Sequence, residues 1–287
     1  MQSTTIEEIT SWITNVDQLV QSGKCKCPSF FRPHHFLVLA MELKRSGATH
    51  VALPATFTRY AARMRLWQAV NIQPPIVVSE YNSLGKFHPI EPLIDQNAVD
   101  DTSESLVEIF RRAGIGEGPV DGARTVVREL LGNCFAHAES DNGLHGLACA
   151  QFWSRGNMAQ IAICDSGIGI RSSLAQNVEY LVELVRRNAC EYATEYSVTS
   201  KPGKGHSGYG LTLARDLMEQ GKNTIFVVSH GEYFYSSGGV SGKGQMPTAL
   251  KGTLVILEWD TTVPLNLRQV YDAWPLPEGM DDDDFDL

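Results

Sequence analysis

The sequence predicts an α+β protein in three parts: a small α/β domain over residues 1–100, a larger helix-and-sheet unit over 101–265, and an acidic tail over 266–287. Three observations lead there. Stretches with apolar residues at helical spacing recur in both halves, and short apolar runs bounded by Gly, Pro or Asn separate them. Residues 79–100 carry Pro, Asn, Gly and Asp without clear periodicity, which sets the boundary between the two units. The last residues include Asp281-Asp282-Asp283-Asp284, a composition that does not build a core.

Bulk properties narrow the classes. The chain has 287 residues and 43% apolar content, ordinary for a globular protein with a core. Its formal charge of −9 disfavours a nucleic-acid backbone as main ligand. No basic segment followed by an apolar stretch opens the chain, and no apolar run approaches the roughly 18–20 residues of a membrane span, so no membrane partner is expected. The six cysteines are scattered, four of them inside apolar stretches, where free cysteine behaves as a small hydrophobe. Cys25-Lys-Cys27 with His34 and His35 is not a standard zinc spacing. A reduced, cytoplasmic, soluble protein is the expectation.

Taken in order, Ile6, Ile9, Ile13, Val16, Leu19 and Val20 predict a helix ended by Gly23. A second helix starts at Pro33 and stops at Gly47. Thr49–Leu53 and Ile76–Val78 read as short strands, with a helix over Phe57–Val70 between them. That alternation implies the small α/β layer. The arginines of this helix, Arg59, Arg63 and Arg65, read as a solvated face. In the second unit, helices are expected over 103–113 and around Glu129, and strands over Gly146–Trp153 and Ala159–Cys164 with a turn at Arg155-Gly156-Asn157. Leu174–Tyr196 is helical in character, with Val178, Leu181, Val182, Leu184 and Val185 as its apolar side. A Gly/Ser/Lys-rich loop then runs into a helix from Leu211 to Gln220. Thr224–Ser229 and Glu232–Tyr235 form a hairpin candidate, residues 236–245 a Gly/Ser excursion, and Gly252–Trp259 the last strand.

The chemistry concentrates in residues 129–170. Glu129, Asn133 and His137 are successive i, i+4 neighbours, so they drift round a helix by only about 40° per step. One face thus carries a potential base, a neutral oxygen donor and an imidazole, while Val126, Val127, Leu130, Leu131 and Cys134 form an apolar face able to pack on a sheet. The second strand delivers Asp165 into the glycine-rich turn Asp165-Ser-Gly167-Ile-Gly169-Ile170. The loop Ser197–Leu211, with Lys201, Lys204, Ser207, Gly208, Tyr209 and Gly210, precedes a helix whose first amides and dipole favour an anion. Each motif alone is weak. Together they make an ordered set: ExxxNxxxH on a helix, strand-DxGxG, GxxGxGL opening a helix, and a strand beginning Gly252-Thr253.

That order resembles the GHKL ATP-binding superfamily of DNA gyrase B subunits, heat-shock chaperones, mismatch-repair ATPases, histidine kinases and anti-sigma-factor kinases, over about residues 103–260. Asn133-Cys-Phe-Ala-His137-Ala is nearest the kinase and anti-sigma branch. Ser197-Val-Thr-Ser-Lys201 is similar to standalone bacterial ATP-binding proteins of that branch, whose N-terminal part is often a STAS-like layer. The resemblance implies a two-layer α/β sandwich of Bergerat type, a mixed sheet with helices on one face. It implies ATP and Mg²⁺ as ligands. Asp165 would accept from the adenine amine, discriminating against guanine. Gly167, Gly169 and Ile170 would lie along base and ribose, and Thr253 would support Asp165. Asn133 would ligate Mg²⁺; Ser207, Gly208, Tyr209, Gly210 and Leu211 would surround the phosphates, with Lys201 or Lys204 reaching the terminal one. Glu129 would be the base for hydrolysis or phosphoryl transfer. His137 is either a phosphate contact or a helix-packing histidine.

Two departures matter: Ala136 stands where histidine kinases carry a basic residue, and no two-helix segment with an acceptor histidine is present. A self-phosphorylating histidine kinase is therefore not expected. The remaining readings are an ATPase whose nucleotide-gated lid controls partner binding in a bacterial regulatory or defence role, a serine/threonine kinase of anti-sigma type, and a non-hydrolysing nucleotide-dependent interaction module. A protein partner or a homodimer is expected in each case.

Overall fold

A computed structural model of the chain describes residues 3–22, 26–51, 53–78, 85–137, 143–199, 209–221 and 223–275. Helices α1 (Ile6–Ser22), α2 (Pro33–Ser46), α3 (Ala55–Arg63) and α4 (Leu66–Ala69) come first. Strand β1 (Phe87–Leu93), helices α5 (Val99–Arg112) and α6 (Glu117–His137), and strands β2 (Gly146–Trp153) and β3 (Met158–Asp165) follow. Short helices α7 (Ile170–Leu174), α8 (Leu181–Arg186) and α9 (Ala189–Tyr192) lead to α10 (Gly210–Met218), the hairpin β4 (Thr224–Ser237) and β5 (Val240–Asp260), and α11 (Leu267–Ala273).

The five strands form one sheet in the order β1-β2-β3-β5-β4. Every described pairing is antiparallel, so the α+β class holds while the mixed sheet implied by the family resemblance does not. Strand alternation sorts the sheet's side chains between two cores. Ala148, Ala150, Ile161, Ile163, Val227, Val255 and Leu257 face α5, α6 and α10. Leu147, Cys149, Ala162, Cys164, Val228, Leu254 and Ile256 face the opposite way, onto α1 and α2. Helices therefore cover both faces, not one.

The N-terminal part differs from the sequence expectation. Among the described residues, none of those in Thr49–Leu53 or Ile76–Val78 is in a strand, and neither is any other before Phe87. Pro54 and Pro74-Pro75 adjoin these runs and lack the N–H donors a ladder needs. Val77 lies fully in solvent (98% exposed). The described residues of this part do not show the strands of a STAS-like α/β layer. They form a helical cover in which the residues Pro33 to Met41 of α2 are all buried, starting on Pro33 and ending at Gly47 in the left-handed conformation.

A polar network fixes this cover to the sheet centre. Glu258 on β5 accepts from the Thr4 amide (2.9 Å) and hydroxyl (2.6 Å) and from Gln160 Nε2 (2.8 Å). Gln160 Oε1 lies 3.1 Å from His34 Nδ1, and Arg32 Nη1 sits 3.3 Å from Glu8 and 3.9 Å from Glu258. Burying such groups is tolerated because each carboxylate and amide meets a partner.

Farther along, the stretch 174–196 is not one helix. Asn177 and Asn188 cap new turns with their side chains, and Val178, Val182 and Val185 are exposed while Leu184 is buried. The strand β4 runs unbroken through residues 230–237, and the expected Gly/Ser excursion is the hairpin tip and the start of β5.

Burial holds His34 neutral, lowering its pKa from 6.5 to about 3. The unfolded chain takes up this proton below about pH 6.5, so the contribution is full above that pH and is lost as pH falls toward 3. Thermal melts at stepped pH should show a steeper acid-side loss of Tm in the wild type than in His34→Gln; identical slopes would contradict the assignment.

Candidate functional site

A cavity of about 120 Å³ opens between α6, the ends of β3 and β5, α7 and the start of α10. Its wall includes Glu129, Asn133, Asp165, Gly169, Ile170, Gly210, Leu211 and Thr253, all expected from the sequence. Ile163 and Val255 come from the sheet, and Leu174, Ala193 and Val198 supply further apolar wall. Residues distant in the chain meet here because β3 and β5 are neighbours and α6 lies across them.

Asp165 ends β3, one position beyond the Cys164–Leu254 pair. Its Oδ1 accepts from the Gly167 amide at 2.8 Å and the Thr253 amide at 3.0 Å. The Thr253 hydroxyl also hydrogen-bonds the carboxylate and lies 3.2 Å from Ser229 Oγ. Removal from water pushes the carboxyl up to about 6, against these hydrogen bonds, which favour the ionised form. Burial, and then the nearby Asp165 carboxylate, hold the Cys134 and Cys164 thiols well above their ordinary range. Those cysteines are neutral packing groups.

Two glycines make the approach possible. Gly252 has φ +95°, and a Cβ there would fall 2.0 Å from the Asp165 carbonyl oxygen. Gly169 has φ +79°, and its Cβ would meet the His230 ring at 2.2 Å. Neither space nor conformation admits a side chain. After Gly169, the Ile170 amide donates to Ser229 Oγ at 2.9 Å, fixing the first turn of α7 on β4. Arg171 then spans Glu232, with both contacts at 2.7 Å, and the Arg187 carbonyl at 2.8 Å. Sequence reading missed Ser229 and Glu232, because a β-bulge around His230 turns them toward α7 and α9.

At the other end, Glu129 is exposed and Asn133 half-buried on α6. A Cβ on Gly210 would lie 3.2 Å from both Asn133 Nδ2 and Glu129 Cβ. The start of α10 is thus in near contact with this pair, aiming its positive end at the same space. Tyr209 immediately precedes α10, and its carbonyl accepts from Leu213 at 2.7 Å. Gly167 lies under the turn and not in the cavity wall. His137 is the last residue of α6; Lys201, Lys204, Ser207 and Gly208 lie outside the described residues.

A second cluster, Glu8, His34 and His35, brings its ligand-type atoms within 4.8 Å on the far face of the sheet. Hydrogen bonding argues against a metal there. The Arg32 amide donates to His35 Nδ1 at 2.9 Å, which places the proton on Nε2, 3.3 Å from Glu8. A protonated nitrogen offers no lone pair to a cation, and the Arg32 guanidinium already occupies Glu8.

Residues 94–223 match the family model of the histidine kinase-like ATPase domain. This stretch is therefore a GHKL-type domain, of a class that binds ATP. The match runs from just before α5 to just after α10, leaving β4, β5 and the N-terminal helices outside it. No curated protein matches the chain. Among the described residues, no helix is long and apolar enough to cross a membrane.

Gly252→Ala should cost about 2 kcal/mol or more, from backbone strain and displacement of Asp165. The urea midpoint measures it, and an unchanged midpoint would contradict the packing described.

Proposed function

We propose that this chain binds ATP with Mg²⁺ in the α6–α10 cavity and hydrolyses it. The observation that carries the reading is that Asp165 and the Glu129–Asn133 pair line one cavity. Asp165 offers an acceptor within an apolar slot, and its two backbone donors both go to Oδ1. An adenine amine satisfies the remaining acceptor capacity, whereas a guanine carbonyl would leave it unpaired. Ile163, Val255 and Ile170 give the flat apolar surfaces a base needs.

The phosphate end is supported by the dipole and first amides of α10, closely apposed to Asn133. Asn133 is the protein ligand for Mg²⁺, the other ligands of such a cation being phosphate oxygens and water. Bound there, the cation supplies charge neutralisation at the phosphates. Glu129 is the general base. Its carboxylate is exposed, so a water can reach it unobstructed. The same exposure would admit a protein hydroxyl, so a serine/threonine kinase of anti-sigma type is the alternative reading. Closure of the stretch 196–210 over nucleotide, changing what a protein partner or second copy can bind, completes the proposal.

Incubation of the pure chain with γ-labelled ATP tests it. Phosphate release supports hydrolysis, label on an added protein supports a kinase, and ATP recovered intact supports a non-hydrolysing module. Glu129→Ala should lower turnover by about 10²-fold or more while leaving ATP affinity near wild type. Asp165→Asn keeps an oxygen for Gly167 and Thr253 but presents an amide donor to the base, and should weaken binding itself. If both variants bind and turn over normally, Glu129 is not the base and Asp165 is not the adenine acceptor.

A further inference from the structure

The residues after β5 approach the phosphate end of the cavity, though they lie outside the matched ATPase stretch. Leu265 and Val270 are buried in the same core as α6 and α10, which anchors α11. Asn266 caps α11 and exchanges two bonds with Gln220, at 2.7 and 2.8 Å, bracing it on the end of α10. Trp274, next after α11, donates from Nε1 to Asp216 of α10 at 2.7 Å.

An aromatic column starts from that tryptophan. Its ring centroid lies 5.2 Å from Tyr196 and 5.2 Å from Tyr209, and those two rings stack on each other at 4.8 Å and 28°. Tyr196 donates its hydroxyl to the Pro275 carbonyl at 3.3 Å. On the other side Trp274 meets Tyr271 edge-on at 5.3 Å, and Tyr271 is near enough to Glu129 for that carboxylate to affect its hydroxyl. Tyr209 is bonded directly to Gly210, the residue apposed to Glu129 and Asn133. The column thus connects the C-terminal helix to the placement of the α10 start.

We infer that residues 265–275 form a strap that sets the position of Gly210 against Glu129 and Asn133, with Trp274 as its positioning residue acting through Tyr209. The inference rests on the nucleotide reading above and sharpens it: the strap controls the triphosphate end and leaves the adenine end alone. Stacked and edge-on aromatic contacts and a hydrogen bond to a carboxylate each add stabilisation beyond burial. Their loss is large enough to move one helix terminus and too local to unfold the core, because Trp274 is only half-buried.

The test compares adenosine and Mg·ATP binding by calorimetry, with turnover, in the full chain and in Trp274→Ala and Trp274→Phe. Trp274→Ala should keep adenosine affinity within about twofold and lose about tenfold or more in ATP affinity or turnover. Trp274→Phe, which restores the ring without the Asp216 bond, should fall between. Equal losses for adenosine and ATP would make Trp274 a general structural residue, and unchanged ATP binding and turnover in Trp274→Ala would show that the strap sets nothing; either overturns the inference alone. Absence of any adenosine or ATP binding by the wild-type chain would overturn the nucleotide reading and the strap together.

Discussion

The close passage of β5 under Asp165 is the constraint on which the rest of the site depends. Gly252 brings its backbone against the Asp165 carbonyl, and the next amide, that of Thr253, donates to the Asp165 side chain. That contact pulls a carboxylate out of water and keeps it oriented, at the expense of a raised pKa. Groups held in this condition mark sites more often than cores, because stability alone gives no reason to bury a carboxylate. The GHKL-type stretch ends before Thr253, so the site needs a strand beyond the matched residues.

The second organising feature is the sheet buried on both faces. The helices before β1 cover one face and supply Thr4, Arg32 and His34 to a network ending on Glu258 and Gln160. The other face carries α6 and α10, and with them the cavity. Nothing separates the two cores but the strands, and β3 contributes to both. Ala162 and Cys164 point to the N-terminal helices, whereas Ile163 points into the cavity.

Much of the site was legible in the sequence because its residues sit in regular elements with fixed periods. The i, i+4 step put Glu129 and Asn133 on one helix face, and a strand ending in Asp165 before glycines pointed to the carboxylate that lines the cavity. What was not legible depended on tertiary choice. The apolar runs at 49–53 and 76–78 have strand composition, but whether such a short run joins a sheet is decided by tertiary packing and not by local pattern. Val178, Val182 and Val185 have core composition, yet Asn177 and Asn188 interrupt the helix and turn them outward. Ser229 and Glu232 gained their roles from a bulge that no local pattern announces. The long antiparallel β4–β5 hairpin was hidden because the glycines and serines of residues 236–245 read as loop.

The most direct measurement is the affinity of the full chain for ATP against GTP, each with magnesium, under one set of conditions. The two share ribose and triphosphate and differ only in the base, whose edge the proposal sets against Asp165. A site built to accept from an exocyclic amine should prefer ATP by a large factor, on the order of ten-thousand-fold where the mismatch leaves buried groups unpaired. Equal affinities would contradict a pocket organised around Asp165.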